Sequence, residues 1–424
     1  MIDLKPYQVN RNILCIDLKS FYASVECVLR GLDPFTTPLV VADKSRGGGS
    51  IVLAVTPYLK SKGVPSRLRI FEIPKGLDPI YAKPRMQAYL EYASKVIEVY
   101  MEFISEDDLY VYSIDEAFLD VTHYLAYYQI TDIELGKRIL ARIKEKLGLT
   151  ATCGVGPNML LAKLSMDIEA KKSKDFIAKW DYEDVKEKLW CVQPLSEMWG
   201  IGHRMEKRLN DIGLYKIGDI ANYDVSVLKR KFGILGEELY YHTHGIDLSM
   251  IKDKQMLRRE SKSFGISQVL FKDYDAEGAL ILIQEMVDDV TRRLRISRKK
   301  CKTVHLGIGY TKAYGGGFSR QLTLEQASSN ESVIYDACLT LFDLYHEDLP
   351  IRTISVSLTN LTTINTYQYS IFEDANALAK EEQLQYTMDK LKMKFGKNSV
   401  LRATSLEKDS TVKDRNKQIG GHHV

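Results

Sequence analysis

Leu109-Tyr110-Val111-Tyr112-Ser113-Ile114-Asp115-Glu116-Ala117-Phe118-Leu119-Asp120-Val121 is the stretch that decides the fold. Its two apolar, aromatic-rich arms, 109–112 and 117–121, read as strands around a tight corner at 113–116. Upstream, Asn12-Ile13-Leu14-Cys15-Ile16-Asp17 reads as a buried strand ending on a carboxylate. Between them, Tyr89, Ala93, Val96, Tyr100 and Phe103 recur at helical spacing, which predicts an amphipathic helix within 85–104. A second helix is expected at about 135–147 and a strand at 150–155, after which Asn158 can cap a helix starting at Met159. The order strand, helix, strand, strand, helix, strand is the ferredoxin-like split βαβ plan. An early insertion interrupts it: strand-like 38–42, the turn Gly47-Gly48-Gly49 and strand-like 51–55.

A chain of 424 residues exceeds one ordinary core and predicts several domains. The net charge of +3 says little by itself, but residues 252–312 hold fourteen Lys and Arg against eight Asp and Glu. Such a basic stretch favours a polyanion, although solvated faces carry charge too. Six cysteines are scattered without a Cys-x-x-Cys pair, and the N-terminus has no basic-then-apolar signal pattern. With no apolar run long enough to span a bilayer, the expectation is a cytoplasmic protein without membrane contact.

Past Trp190, Gly200-Ile201-Gly202-His203-Arg204 lies between short helical patterns, with Lys207 and Arg208 behind. A glycine hairpin there lets backbone N–H groups approach a phosphate, and tight helix–helix turns use the same pattern. Next, Ala276, Leu280, Ile283, Val287, Val290 and Leu294 form a helical stripe. A strand at 303–310, the turn Gly315-Gly316-Gly317, a strand at 318–324, a helix at 332–345 and a strand at 351–358 predict a second α+β domain. From Leu361 onward the chain is polar and less periodic, and reads as a charged tail.

Asp17, Asp115 and Glu116 fall at the ends of adjacent strands of the proposed sheet. Consecutive strand side chains face opposite ways, but a hairpin corner would let Asp115 and Glu116 face one site. Hard oxygen ligands suit Mg²⁺, and two such ions could activate a 3′-hydroxyl and stabilise pyrophosphate. Acids at turns are also commonly solvated caps, and Asp43 and Asp120 are read that way.

Asp17-Leu18-Lys19-Ser20-Phe21-Tyr22-Ala23-Ser24-Val25-Glu26 and Ser113-Ile114-Asp115-Glu116-Ala117-Phe118-Leu119-Asp120 resemble the first and second motifs of the Y-family translesion DNA polymerases. The likeness continues through 154–172, the Gly200 hairpin and the basic second domain, and is greatest to UmuC/DinB-type, UvrX-like UV-damage repair proteins of Gram-positive bacteria. It implies an α+β multidomain fold: a ferredoxin-like palm (1–20 and 87–180) with inserted fingers (21–86) and a helical thumb with a helix-hairpin-helix (181–250). A linker (251–260), an α+β little finger (261–362) and a polar tail (363–424) would follow.

The resemblance also implies roles. Asp17, Asp115 and Glu116 would hold two Mg²⁺, with the Leu18 carbonyl as a further ligand. Tyr22 would be the steric gate against a 2′-hydroxyl, beside Phe21. Lys60 stands where many members carry arginine, and the tyrosine expected three residues earlier falls on Pro57, with Tyr58 displaced by one. Lys171 would be a second triphosphate lysine; it lies one residue further from Lys163 than in some relatives, which makes Lys172 a rival. Gly200, Gly202, Arg204 and Lys207 would contact DNA. Gln368-Tyr369-Ser370-Ile371-Phe372 is similar to the peptide by which bacterial polymerases bind the sliding clamp. The implied partners are primer-template DNA, deoxynucleoside triphosphates and that clamp. A non-catalytic DNA- and clamp-binding protein with the same fold is the rival reading. A nucleotide cyclase built on the same plan would leave the hairpin and the clamp-like peptide unexplained.

Overall fold

A computed structural model describes residues 3–256, 261–363 and 375–423. The chain forms two compact units, residues 1–258 and 259–423. In the first, β1 (Ile13–Leu18) leads into the helix Phe21–Val28 and then a small sheet of β2 (Leu39–Val41), β3 (Ala54–Val55) and β4 (Ile80–Ala82), ordered β3-β2-β4. The helix Met86–Met101 returns the chain to β5 (Leu109–Val111) and β6 (Glu116–Asp120). The helix Asp132–Leu147 then leads to β7 (Ala151–Gly156) and β8 (Ile177–Lys179). The main sheet runs β5-β6-β1-β7-β8, the ferredoxin-like order extended by β8.

β1 is antiparallel to both β6 and β7, with Asp17 opposite Glu116 on one side and Thr152 on the other. One face carries Ile13, Cys15 and Phe118 against Met159, Ala162 and Met166. On the opposite face, the helix Asp132–Leu147 packs so closely that a Cβ on Gly136 would lie 2.9 Å from Ile177 and 3.2 Å from the Cys153 sulfur. That helix starts three residues before its apolar stripe, because Thr131 and Glu134 form a reciprocal capping box. The Asn158 cap is present: its side chain accepts from the Leu161 N–H at 2.8 Å. Of the strand expected at 51–55, only Ala54–Val55 pairs, with Ile51 making a single bridge to Arg69. Residues 251–256, expected to be linker, form the helix Ile251–Met256, and Ile251 is buried with Ile13 and Phe118.

In the second unit, β9 (Phe264–Tyr274), β10 (Lys299–Tyr310), β11 (Gly317–Ser328) and β12 (Ile351–Thr363) form an antiparallel sheet ordered β11-β10-β12-β9. The helices Ala276–Ile296 and Glu331–Tyr345 cover it, and Ile283, Val287, Val290 and Leu294 meet Val304, Leu306 and Ile308 in its core. No helix among the described residues is long and apolar enough to cross a membrane.

For residues 375–423 the reading as a polar tail is corrected. Residues 375–395 form a helix, and the chain beyond it is held on the same unit by charge rather than apolar periodicity. Arg295, 3% exposed, binds both oxygens of buried Asp389 (2.7 and 3.0 Å) and also reaches Gln385 and the Ser329 carbonyl. Lys392 pairs with Asp288 at 2.6 Å and Arg402 with Glu331 at 2.7 Å. The anchoring face is charged, so a search for apolar spacing passes over it. Removing one member of a buried pair strands the other; Arg295→Met should lower the unfolding free energy of this unit by about 3–5 kcal/mol in urea. Adding Asp389→Leu should recover most of that loss.

Candidate active site

β1 ends at Leu18, and its N–H donates to the Asp115 carbonyl at 2.9 Å. This bond pins the 113–116 corner to the strand that carries Asp17. Asp17 and Asp115 line one cavity of about 360 Å³ with Leu18, Phe21, Tyr22, Lys60 and residues 53–55 of the small sheet. Glu116 takes a different position. It opens β6 instead of sitting in the corner, and its carboxylate meets Lys163 at 2.8 Å and the Cys15 thiol at 3.3 Å. Being directly opposite Asp17 across the strand pair, it still shares that residue's face of the sheet.

The lysines complete an alternating chain of charge. Lys163 bridges Glu116 and Asp167 (3.1 Å), while Lys171 bridges Asp167 and Asp17, both at 2.7 Å. Burial raises the Asp17 and Glu116 carboxyls above their usual range, and Lys171 and Lys163 oppose that shift. Burial would lower the Lys171 ammonium, but Asp17 and Asp167 hold it above its usual value.

The helix bearing these residues lies hard on β7. A Cβ on Gly154 would come 2.0 Å from the Ala162 carbonyl oxygen, so only glycine admits this approach. Past Leu164 the helix widens to a π-turn over Ser165–Ala170, and the Lys171 N–H bonds to the Met166 carbonyl. The extra residue noted in the sequence is absorbed here, and Lys171 is the lysine that reaches Asp17. Lys163, Asp167 and Lys171 recur every four residues, a helical-face signal that was open to sequence reading for Lys163 and Asp167.

A second cavity of about 470 Å³ shares Asp17, Ser20 and Lys60 with the first and adds Lys19, Pro57, Ser61 and Lys171. Three lysines around two serines make a cradle for a polyanion. Lys60 reaches it from the short helix Pro57–Ser61, and burial lowers its ammonium. Lys19, which sequence reading passed over, lies over the Phe176 ring at 4.4 Å. Tyr58 packs with the small sheet's core and lines neither cavity.

Phe21 is buried in the core, while Tyr22 is half-buried on the cavity. The Tyr22 ring stacks on Tyr89 at 4.5 Å and 17°. The Tyr89 hydroxyl donates to Glu26 at 2.7 Å, and Arg85 and Arg30 bind the same carboxylate. Glu26 thus fixes the platform under Tyr22. Away from this centre, Gly200 takes φ +94° and Gly202 caps the helix His203–Asn210, from which Arg204 and Lys207 point to solvent. The segment 368–372 lies outside the described residues.

Asp17 and Asp115 bring hard oxygen donors to one cavity that Leu18 also lines, and two lysine ammoniums already pair with Asp17 and Glu116. This donor set fits Mg²⁺. Among the described residues no three acidic, His or Cys side chains stand together as a ready-made metal cluster, so Glu116 and Asp17 would exchange lysine contacts for the ions.

Residues 16–167 match the impB/mucB/samB family, 261–371 that family's C-terminal domain, and 196–247 the thumb domain of DNA polymerase iota. The chain therefore belongs to the impB/mucB/samB family, the Y-family of translesion DNA polymerases. Among its relatives is UvrX of Bacillus subtilis (strain 168), named for UV-damage repair; the two are 41% identical across the full length of both. DNA polymerase IV 2 of the same organism is 33% identical over 97% of this chain and 98% of its own. DNA polymerase IV 2 of Halalkalibacterium halodurans is 31% identical over 98% and 100%. A solved Y-family DNA polymerase chimera shares the fold, with TM-score 0.64 and 23% identity over 83% of this chain and 99% of that one.

Burial alone would raise Glu26, but the hydrogen bonds from Arg85, Tyr89 and Arg30 outweigh it and hold the carboxyl below its usual range. The ionised form is then a source of stability above the unfolded value of about 4.3, lost as pH falls through the lower folded value. Thermal midpoints should therefore drop more steeply below about pH 4 in wild type than in Glu26→Gln, which lacks that stability at neutral pH.

Proposed function

We propose that this DNA-directed DNA polymerase adds deoxynucleotides to a primer 3′ end by a two-metal route, copying damaged templates with low fidelity. The observation that carries the reading is the pairing of two cavities on Asp17: one holds Asp115 and the stacked Tyr22, the other three lysines. In this reading the triphosphate lies among Lys19, Lys60 and Lys171, and the sugar rests over Tyr22, whose ring leaves no room for a 2′-hydroxyl. Asp17, Asp115, Glu116 and the Leu18 carbonyl would hold two Mg²⁺, which would supply charge for the 3′-hydroxyl and the leaving pyrophosphate. Lys163 opposes the upward shift that burial imposes on Glu116. Gly200, Gly202, Arg204 and Lys207 would meet the DNA backbone, since exposed N–H groups and cations at a helix start suit a phosphate.

Primer extension tests this directly. Asp115→Ala should reduce extension by about a thousandfold or more while DNA binding is retained, and Tyr22→Ala should admit ribonucleotides. Extension by neither wild type nor variant, with DNA still bound, would favour the non-catalytic DNA- and clamp-binding reading.

Clamp binding through Gln368, Tyr369, Ser370, Ile371 and Phe372 rests on the sequence likeness, and a cytoplasmic location on six scattered cysteines that suit a reducing compartment. Deleting 368–372 should abolish stimulation by the bacterial sliding clamp and spare basal synthesis. Equal stimulation of the deleted chain sinks this assignment.

A further inference from the structure

Arg67 has a backbone φ of +65°, in the left-handed region that side chains other than glycine rarely adopt. The conformation is imposed from both sides. Val64 and Leu68 are buried at 1% and 7% exposure in the small sheet's core. The Leu68 carbonyl accepts from Val52 at 2.8 Å, and the Ile70 N–H donates to Ser50 at 3.0 Å. The chain cannot relax at Arg67 without giving up those anchors. Strain that the surroundings over-determine in this way gathers at functional sites.

The Arg67 side chain lines the cavity of Asp115 and Tyr22, and its guanidinium has no ion pair or hydrogen bond among the described residues. Its position within the two cavities separates it from the other cations. Lys19 and Lys171 belong to the polyanion cavity and Lys60 to both, whereas of the two cavities Arg67 lines only the one with Tyr22. With the triphosphate read among the three lysines and the sugar over Tyr22, the base is left to the rest of the Tyr22 cavity. A cation that lines this cavity and not the other meets the base.

We propose that Arg67 is a base-selecting residue, whose guanidinium reads the edge of the incoming base and favours purines, guanine above all. The inference rests on the polymerase reading given above. The chemistry is that of two parallel N–H donors. Guanine offers the paired acceptors O6 and N7, adenine offers N7 alone, and pyrimidines offer no such pair.

Glycine at this position separates strain from recognition, because it relieves the left-handed backbone while removing the fork. Arg67→Gly should melt higher by about 2 °C. In single-nucleotide insertion with Mg²⁺ it should lose about tenfold in kcat/KM for dGTP opposite cytosine, mainly through KM. The loss for dATP should be smaller, and for dCTP and dTTP about twofold or less. Arg67→Lys, which keeps the charge but not the fork, should show the same bias. An equal loss for all four nucleotides, unchanged selectivity in Arg67→Gly, or full dGTP preference in Arg67→Lys overturns the proposal. Equilibrium binding of the four deoxynucleoside triphosphates to the full chain keeps the two readings apart. Should wild type extend no primer, the polymerase reading fails by itself, and equal dGTP affinity of wild type and Arg67→Gly then rejects Arg67 as well.

Discussion

The centre of this molecule depends on the pairing of β1 with β6 and β7, because that register sets buried acids side by side. Carboxylates so placed repel one another and lose solvation, and burial does raise both Asp17 and Glu116. The fold answers with alternation of sign: Glu116, Lys163, Asp167, Lys171 and Asp17 form one continuous chain of ion pairs. Each acid of this ion-pair chain has a cation within reach, which opposes the upward shift that burial imposes on Asp17 and Glu116. The two lysines differ in freedom. Lys163 is buried, while the Lys171 side chain is 39% exposed.

The arrangement requires a helix lying almost in contact with β7, and glycines at 154 and 156 permit it. It also requires the helix to present Lys163 and Lys171 on one side despite an added residue, and the π-turn at Ser165–Ala170 accommodates that. Support for the Tyr22 side of the cavity has a separate origin. Glu26 gathers Arg30, Arg85 and Tyr89, so one buried carboxylate orients the ring on which Tyr22 stacks. Aromatic stacking and charge-assisted hydrogen bonds thus hold the Tyr22 ring, while alternating ion pairs hold the acids.

The second unit uses polar chemistry for a structural end. Its sheet and two helices bury an ordinary apolar core, yet the segment beyond residue 375 is attached by Arg295–Asp389, Lys392–Asp288 and Arg402–Glu331. Buried pairs of this sort are costly to break singly and add directionality, since an Arg fork accepts a carboxylate in few orientations.

Much of this was legible in the sequence. Alternation and helical spacing located the strands around Asp17 and Asp115, the helices of both α+β units and the Asn158 cap, since local propensity and periodic burial leave a one-dimensional trace. The acidic pattern singled out Asp17 and Asp115, the family likeness added Tyr22 and Lys60, and all four line one cavity. What the sequence left open depends on contacts between residues far apart in the chain. Only the strand register shows that Glu116 faces Lys163 instead of sharing the corner with Asp115, and only the π-turn brings Lys171 to Asp17. The docking of 375–395 was hidden because ion pairs across about a hundred residues have no period. The left-handed backbone of Arg67 was hidden because packing on both sides of it, not its own propensity, imposes the conformation.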